Sequence, residues 1–253
     1  MRKGLNIMRT ILILLVPLML LGQTGLDIAR KIDQRAEPTD MVSDMTMILT
    51  NKKGQTRTQK IHSVMQGREK QIIWFLEPAD DRGVAFLKIE HKDRDDEMRI
   101  WLPGFGKMRR ISSSKKAENF MGSDLTYEDM TSRDLDDYTF ELLREEELDG
   151  AAVWVLQSNP KPELRSAYSR IVSWVRQADA LPVKEEYYNR SGKLEKIRVV
   201  TTEQLQGYTI VTRMFVENVL KNHTTELLFD KIKVDSGVKD NLFHERNLRR
   251  LPR

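Results

Sequence analysis

The stretch MVSDMTMILTNKKGQTRTQKIHSVMQ, residues 41–66, sets the reading of the whole chain. Met41, Met45, Met47 and Leu49 share one parity, and Asp44, Thr46 and Thr50 fall mostly on the other. A period of two places one set on a buried face and the other toward solvent, so 41–50 reads as a half-buried strand. Asn51-Lys52-Lys53-Gly54 then supplies a turn, with glycine free to take a positive φ. Gln55 to Gln66 alternates polar side chains with Ile61, Val64 and Met65 and reads as the returning strand. The unit is an antiparallel hairpin.

The same rhythm extends in both directions. Lys70–Leu76, Val84–Glu90 and Met98–Leu102 read as strands, with the charged turn 91–97 between the last two. Tyr138–Glu147 and Ala151–Gln157 flank Asp149-Gly150, a strong hairpin signal, although Glu141–Leu148 is also helical by composition. Ser169–Arg176, Val183–Tyr188, Lys193–Thr202, Tyr208–Val216 and Thr225–Val234 complete the strand series. Leu26–Arg35 predicts a short amphipathic helix. Between Ile111 and Asp137 the alternation stops. There Ser123 or Asp124 is a candidate cap for a short helix, and Val238–Leu248 is a second candidate helix. Many strands and few helices predict an α+β, mainly β fold: one strongly curved antiparallel sheet with short helices over its concave face.

Residues 1–25 read as a secretory signal peptide. Arg2, Lys3 and Arg9 precede the apolar run ILILLVPLMLL at 11–21, which is too short to span a bilayer. Cleavage is expected near Gly22–Gly25, leaving residues 26–253 as a single domain. The net charge of +4 is mostly this leader: removing its three basic residues from 42 leaves 39 against 38 acidic. Charge therefore makes no case for nucleic acid as a partner. The absence of cysteine excludes disulfides, thiolate metal sites, a cysteine nucleophile and a lipidated N-terminal cysteine.

Signals of chemistry are sparse. The chain has no phosphate-binding glycine loop, nucleophile elbow or zinc-protease helix motif. Its four histidines are scattered, and Asp93, Asp95, Asp96 and Glu97 read as a solvated hairpin tip. Carboxylate pairs such as Glu128/Asp129 and Glu185/Glu186 are too frequent to mark a site. No catalytic residue, metal or cofactor is expected, and the chain is not read as an enzyme. What stands out is large, soft apolar residues: Met45, Met47, Leu49, Ile72, Trp74, Leu76, Phe86, Trp101, Phe120, Met121 and Trp174. Methionine and aromatic side chains repack readily around variable acyl chains. Each also serves as ordinary core, and the sequence leaves both readings open.

The string FMGSDLTYEDM at 120–130 follows IWLPGFGKMRRI at 100–111 and FLEPADDRGVAFL at 75–87, with YSRIVSWVRQADALPVKEEYYNRSGKLEK at 168–196 downstream. Together these segments resemble the outer membrane lipoprotein-sorting protein family, the LolA-like group of exported bacterial proteins. The resemblance spans the chain beyond the leader. It implies an incomplete, strongly curved antiparallel β-barrel closed by helices around an apolar, lipid-binding cavity. It implies a monomeric, non-enzymatic periplasmic carrier that takes up acyl chains of a lipoprotein or lipid and moves them toward the outer membrane. An inner-membrane exporter of RND or ABC type and an outer-membrane acceptor are the implied partners. Gly122, Ser123, Asp124, Tyr127, Glu128 and Asp129 are motif positions with no chemical role attached, and no residue is carried over as the arginine that plugs the LolA cavity. Two other readings compete: a non-enzymatic accessory module of an RND-type exporter or membrane complex, and an exported hydrolase built on a carboxylate pair.

Overall fold

The structure, a computed structural model, describes residues 23–252. The leader reading falls, up to residue 22, outside the described residues. The first element, α1 (Gly25–Asp33), begins where the sequence places a helix. Thr24 caps it: its hydroxyl accepts from the Asp27 amide, and the Asp27 carboxylate accepts from the Thr24 amide. Ile28 and Ala29 form its buried stripe. Gly25 lies so close to the backbone of residues 140–141 that a Cβ there would sit 2.7 Å from it.

Thirteen strands follow among the described residues, all in one antiparallel sheet. The first arm holds β1 (Asp40–Thr50), β2 (Thr56–Gln66), β3 (Lys70–Glu77), β4 (Ala85–Ile89), β5 (Glu97–Leu102) and β6 (Lys107–Arg110). The second holds β7 (Tyr138–Leu148), β8 (Ala151–Pro160), β9 (Tyr168–Arg176), β10 (Leu181–Asn189), β11 (Leu194–Leu205), β12 (Tyr208–Asn218) and β13 (His223–Val234). Each arm is a meander of consecutive hairpins. The arms join where β1 pairs with β13, opposing Met45 to Phe229 and Met47 to Leu227. The sheet is not closed: β6 and β7 are its two edges.

Residues 141–148 belong to a strand, and a bulge at Leu142/Arg144 interrupts its pairing. Strand β6 has no counterpart in the sequence reading, because KMRR lacks alternation. A short, cationic edge strand is a common defence against edge-to-edge pairing. Both helices expected beyond α1 are replaced by short 3₁₀ segments, one in the first region and two in the second. Residues 123–130 contribute Glu128–Met130, and 238–248 contribute Asp240–Leu242 and Glu245–Arg249. Asp124 is therefore no helix cap.

Because β6 and β7 lie at opposite edges, the connection 111–137 must cross the sheet. It does so over one face, where Ile111, Phe120, Leu125 and Tyr127 pack on Met45, Met47, Ile61, Ile73, Phe75 and Phe86. Helix α1 covers the neighbouring part of the same face through Trp154, Leu156 and Val175. The covering layer is thus one helix plus a long irregular crossing segment. The opposite face of β2–β5 is covered by the C-terminal segment, where Phe243 and Leu248 pack on Val64, Ile72, Trp74 and Leu87.

Candidate functional site: a two-chambered cavity under the crossing segment

The covered face is not filled. Strands from both arms enclose an apolar chamber of about 400 Å3. Six of the nine methionines beyond residue 25 line it: Met41, Met45 and Met47 from β1, Met65 from β2, Met130 from the crossing segment and Met214 from β12. Ile61, Ile73, Phe120, Leu125, Leu227 and Phe229 complete most of the apolar wall. Against it lies a second chamber of about 250 Å3, bounded by α1, residues 128–135 and strands β7–β11. It is more polar, with Arg133, Tyr138, Ser158, Tyr168, Ser173 and Tyr187 on its walls. Arg35, Glu37, Arg68, Asp129, Leu181, Pro182 and Arg198 border both.

The charged groups at this junction are organised around carboxylates. Glu185 on β10 is 1% exposed and faces Arg198 across the ladder to β11. It also accepts from Arg133 Nη1 at 2.7 Å, Ser173 Oγ at 2.8 Å and the Tyr187 hydroxyl at 2.6 Å. Burial alone would raise its pKa. The two guanidiniums and the hydrogen bonds overrule that and hold the carboxyl well below the usual carboxylate range. Burial pushes the Tyr187 phenol up, so it stays a donor. At the rim Glu37 plays a similar part, bridging Arg35 at 2.6 Å and Arg68 at 2.5 Å.

The string at 120–130 turns out to fasten the crossing segment to the sheet. Met121 and Gly122 have φ of 47° and 79°, a reversal that glycine adopts without strain. Ser123 stabilises the turn by donating to Phe120 O at 2.6 Å. Asp124 is 3% exposed and reaches β13. Its carboxylate accepts from Thr225 Oγ1 at 2.7 Å and lies 2.7 Å from His223 Nδ1, while its amide donates to Thr225 Oγ1 at 2.8 Å. Asp129 pairs with buried Lys196 of β11 and accepts from Tyr168 at 3.0 Å and from the Thr126 amide at 2.6 Å. Glu128 accepts from Ser166 and from the Ala167 amide. Tyr127 and Phe120 stack edge-on in the aromatic cluster with Phe86, at centroid separations of 5.2–5.8 Å.

Comparison with known proteins agrees with this geometry. Residues 67–250 match a family described only as an uncharacterized-protein-like family. No curated protein sequence matches. Among solved structures, a Vibrio parahaemolyticus domain named for outer membrane lipoprotein sorting is 32% identical, with a TM-score of 0.82, over 89% of this chain and 98% of that one. The chain belongs to the outer membrane lipoprotein-sorting protein family. A DUF1329 family protein from Desulfovibrio piger is 31% identical, with a TM-score of 0.84, over 88% of this chain and 97% of that one. A LolA superfamily protein from Nitrosomonas europaea, 22% identical with a TM-score of 0.71 over 89% of this chain and 99% of that one, shares the fold.

Within this family member, the apolar residues singled out by sequence divide by face. Met45, Met47 and Phe120 line the methionine chamber. Leu49, Phe86 and Met121 pack in the same cluster but away from the chamber wall. Ile72, Trp74, Leu76 and Trp101 have the opposite parity and lie under the C-terminal segment. Trp174 also faces away from the chambers, among Val153, Val155 and Val172. These five lie on the other face of the sheet from the methionine chamber, because a strand sends adjacent residues to opposite faces. Sequence reasoning missed Arg133, Arg198 and Lys196, and it set Glu185 aside with Glu186. The usable signal was parity: Glu185 and Tyr187 lie on one face of β10, and Glu186 on the other. The four histidines form no ligand set, although His223 joins the Asp124 anchor. Among the described residues no group of three or more His, Cys, Asp or Glu is placed to hold a metal.

Proposed function

We propose that this protein is a periplasmic carrier that shields acyl chains of a lipoprotein or lipid in the methionine-lined chamber on the way to the outer membrane. The observation that carries the reading is that chamber: an unfilled apolar space of about 400 Å3 between the two arms, walled by side chains that repack easily. Each buried methylene contributes about 0.8 kcal/mol, so roughly ten give about 8 kcal/mol before the costs of association, with no covalent chemistry required. The Vibrio relative's name points the same way. No helix among the described residues is long and apolar enough to cross a membrane. In this reading residues 1–25 supply the cleaved leader, with the cut near Gly22–Gly25, and the carrier domain follows. The protein then acts as a monomer that hands its cargo between membrane partners.

Native mass spectrometry of protein isolated from a bacterial periplasm tests this. A bound mass of a phospholipid, fatty acid or lipopeptide is expected. A bare protein mass, together with no uptake of a fluorescent fatty acid, overturns the reading.

A further inference from the structure

Four arginines surround the polar chamber, and three of them have committed donors. Arg133 donates to Glu185 and to the Tyr187 oxygen. Arg68 donates from all three nitrogens, to Glu37, Asp33 and Ile32 O. Arg35 donates to Glu37 and Thr209 O. Arg198 differs. Among the described residues its ion pair is with Glu185 alone, and its buried Nε has no partner. Its side chain is 23% exposed and borders both chambers, which sets the exposed part of the guanidinium at the junction of apolar and polar space.

The surrounding carboxylates are already engaged. Glu185 is saturated by two arginines, Ser173 and Tyr187. Glu37 is bridged by two arginines at the rim. Asp129 is held by Lys196, Glu128 by Ser166 and the Ala167 amide, and Asp33 lies half-exposed beside Arg68. Tyr138 offers a further donor on the polar wall: burial pushes its phenol up to about 12, so it carries its proton at neutral pH. An incompletely used, desolvated guanidinium calls for an anionic acceptor.

We propose that the polar chamber is an anion site for a phosphate-bearing head group, with Arg198 as its principal ligand and the Tyr138 hydroxyl as a second donor. This deepens the carrier reading and rests on it for the chain that would occupy the adjoining methionine chamber. The ligand is then an anionic amphiphile, held at both ends by different chemistry.

Calorimetric titration with dodecyl phosphate, dodecyl maltoside and inorganic phosphate tests it on the wild-type protein. Dodecyl phosphate should bind about tenfold or more tightly than the neutral maltoside of equal chain length, the worth of a charge-assisted hydrogen bond. Arg198→Gln should bring the ratio close to one, and Tyr138→Phe, a nearly isosteric change, should lower it severalfold. Equal binding of the two amphiphiles by the wild-type protein overturns the anion site and leaves the carrier reading intact. That comparison needs no variant, so a misfolded Arg198→Gln does not obscure it. Inorganic phosphate binding as tightly as dodecyl phosphate supports the anion site and assigns it free phosphate, against the carrier reading. No binding of any probe overturns both.

Discussion

Asp124 shows how much one buried carboxylate organises here. It links the crossing segment to β13 through Thr225 and His223, and its removal would leave those groups unpaired inside the protein. Asp124→Ala should therefore cost about 1–3 kcal/mol. It should also speed hydrogen exchange of the amides of residues 119–130 more than those of β1 and β2; a uniform change would contradict the anchoring role. Glu185 makes a prediction about pH. Its folded pKa lies below the ordinary value of 4.5, so its stabilisation is present above that value and is lost as pH falls through the depressed one. Thermal melts should show wild-type stability declining below about pH 4.5, and Glu185→Gln should flatten that decline. At neutral pH the variant should be about 3 kcal/mol less stable, because two largely buried arginines lose their shared counterion.

At the scale of elements, the C-terminal segment is the clearest separable piece. Asp40 at the start of β1 fixes it, accepting from the Ser236, Gly237 and Val238 amides and from the Ser236 hydroxyl. Beyond that clasp, Phe243 and Leu248 shield Trp74, whose indole donates to Asn247 O at 3.3 Å. Replacing both Phe243 and Leu248 with alanine should release the segment and shift tryptophan emission to longer wavelength as Trp74 and Trp101 meet water. Amphiphile binding should persist, because the chambers lie on the other face of the sheet. Loss of binding at unchanged emission would show that the two faces are coupled differently.

At the scale of the molecule, the methionine chamber exists because two meanders meet through β1 and β13. Met65 belongs to one arm and Met214 to the other, and both line the chamber. Met65→Trp should occupy that space and reduce uptake of a fluorescent fatty acid at least severalfold without lowering the melting temperature. Undiminished uptake would place the ligand elsewhere. Much of this architecture was legible in the residues. Period-two alternation gave most strands, Asp149-Gly150 gave a hairpin, and 120–130 gave the family. Each of these is local, set by side-chain parity or by turn chemistry within a few residues. The β1–β13 pairing joins segments more than 170 residues apart, and no local pattern encodes it. Parity separated Met47 from Trp74 in principle, yet it did not say which face curves inward, nor that the C-terminal segment would cover the other. Adjacent Glu185 and Glu186 look equivalent in sequence; only the folded sheet turns the first toward Arg133 and Arg198 and makes it the centre of the chamber's charge. The sequence thus determined the strands and their apolar faces, since those follow from neighbours along the chain. The tertiary structure decided which faces enclose a cavity and which charges meet there, since both depend on contacts between distant strands.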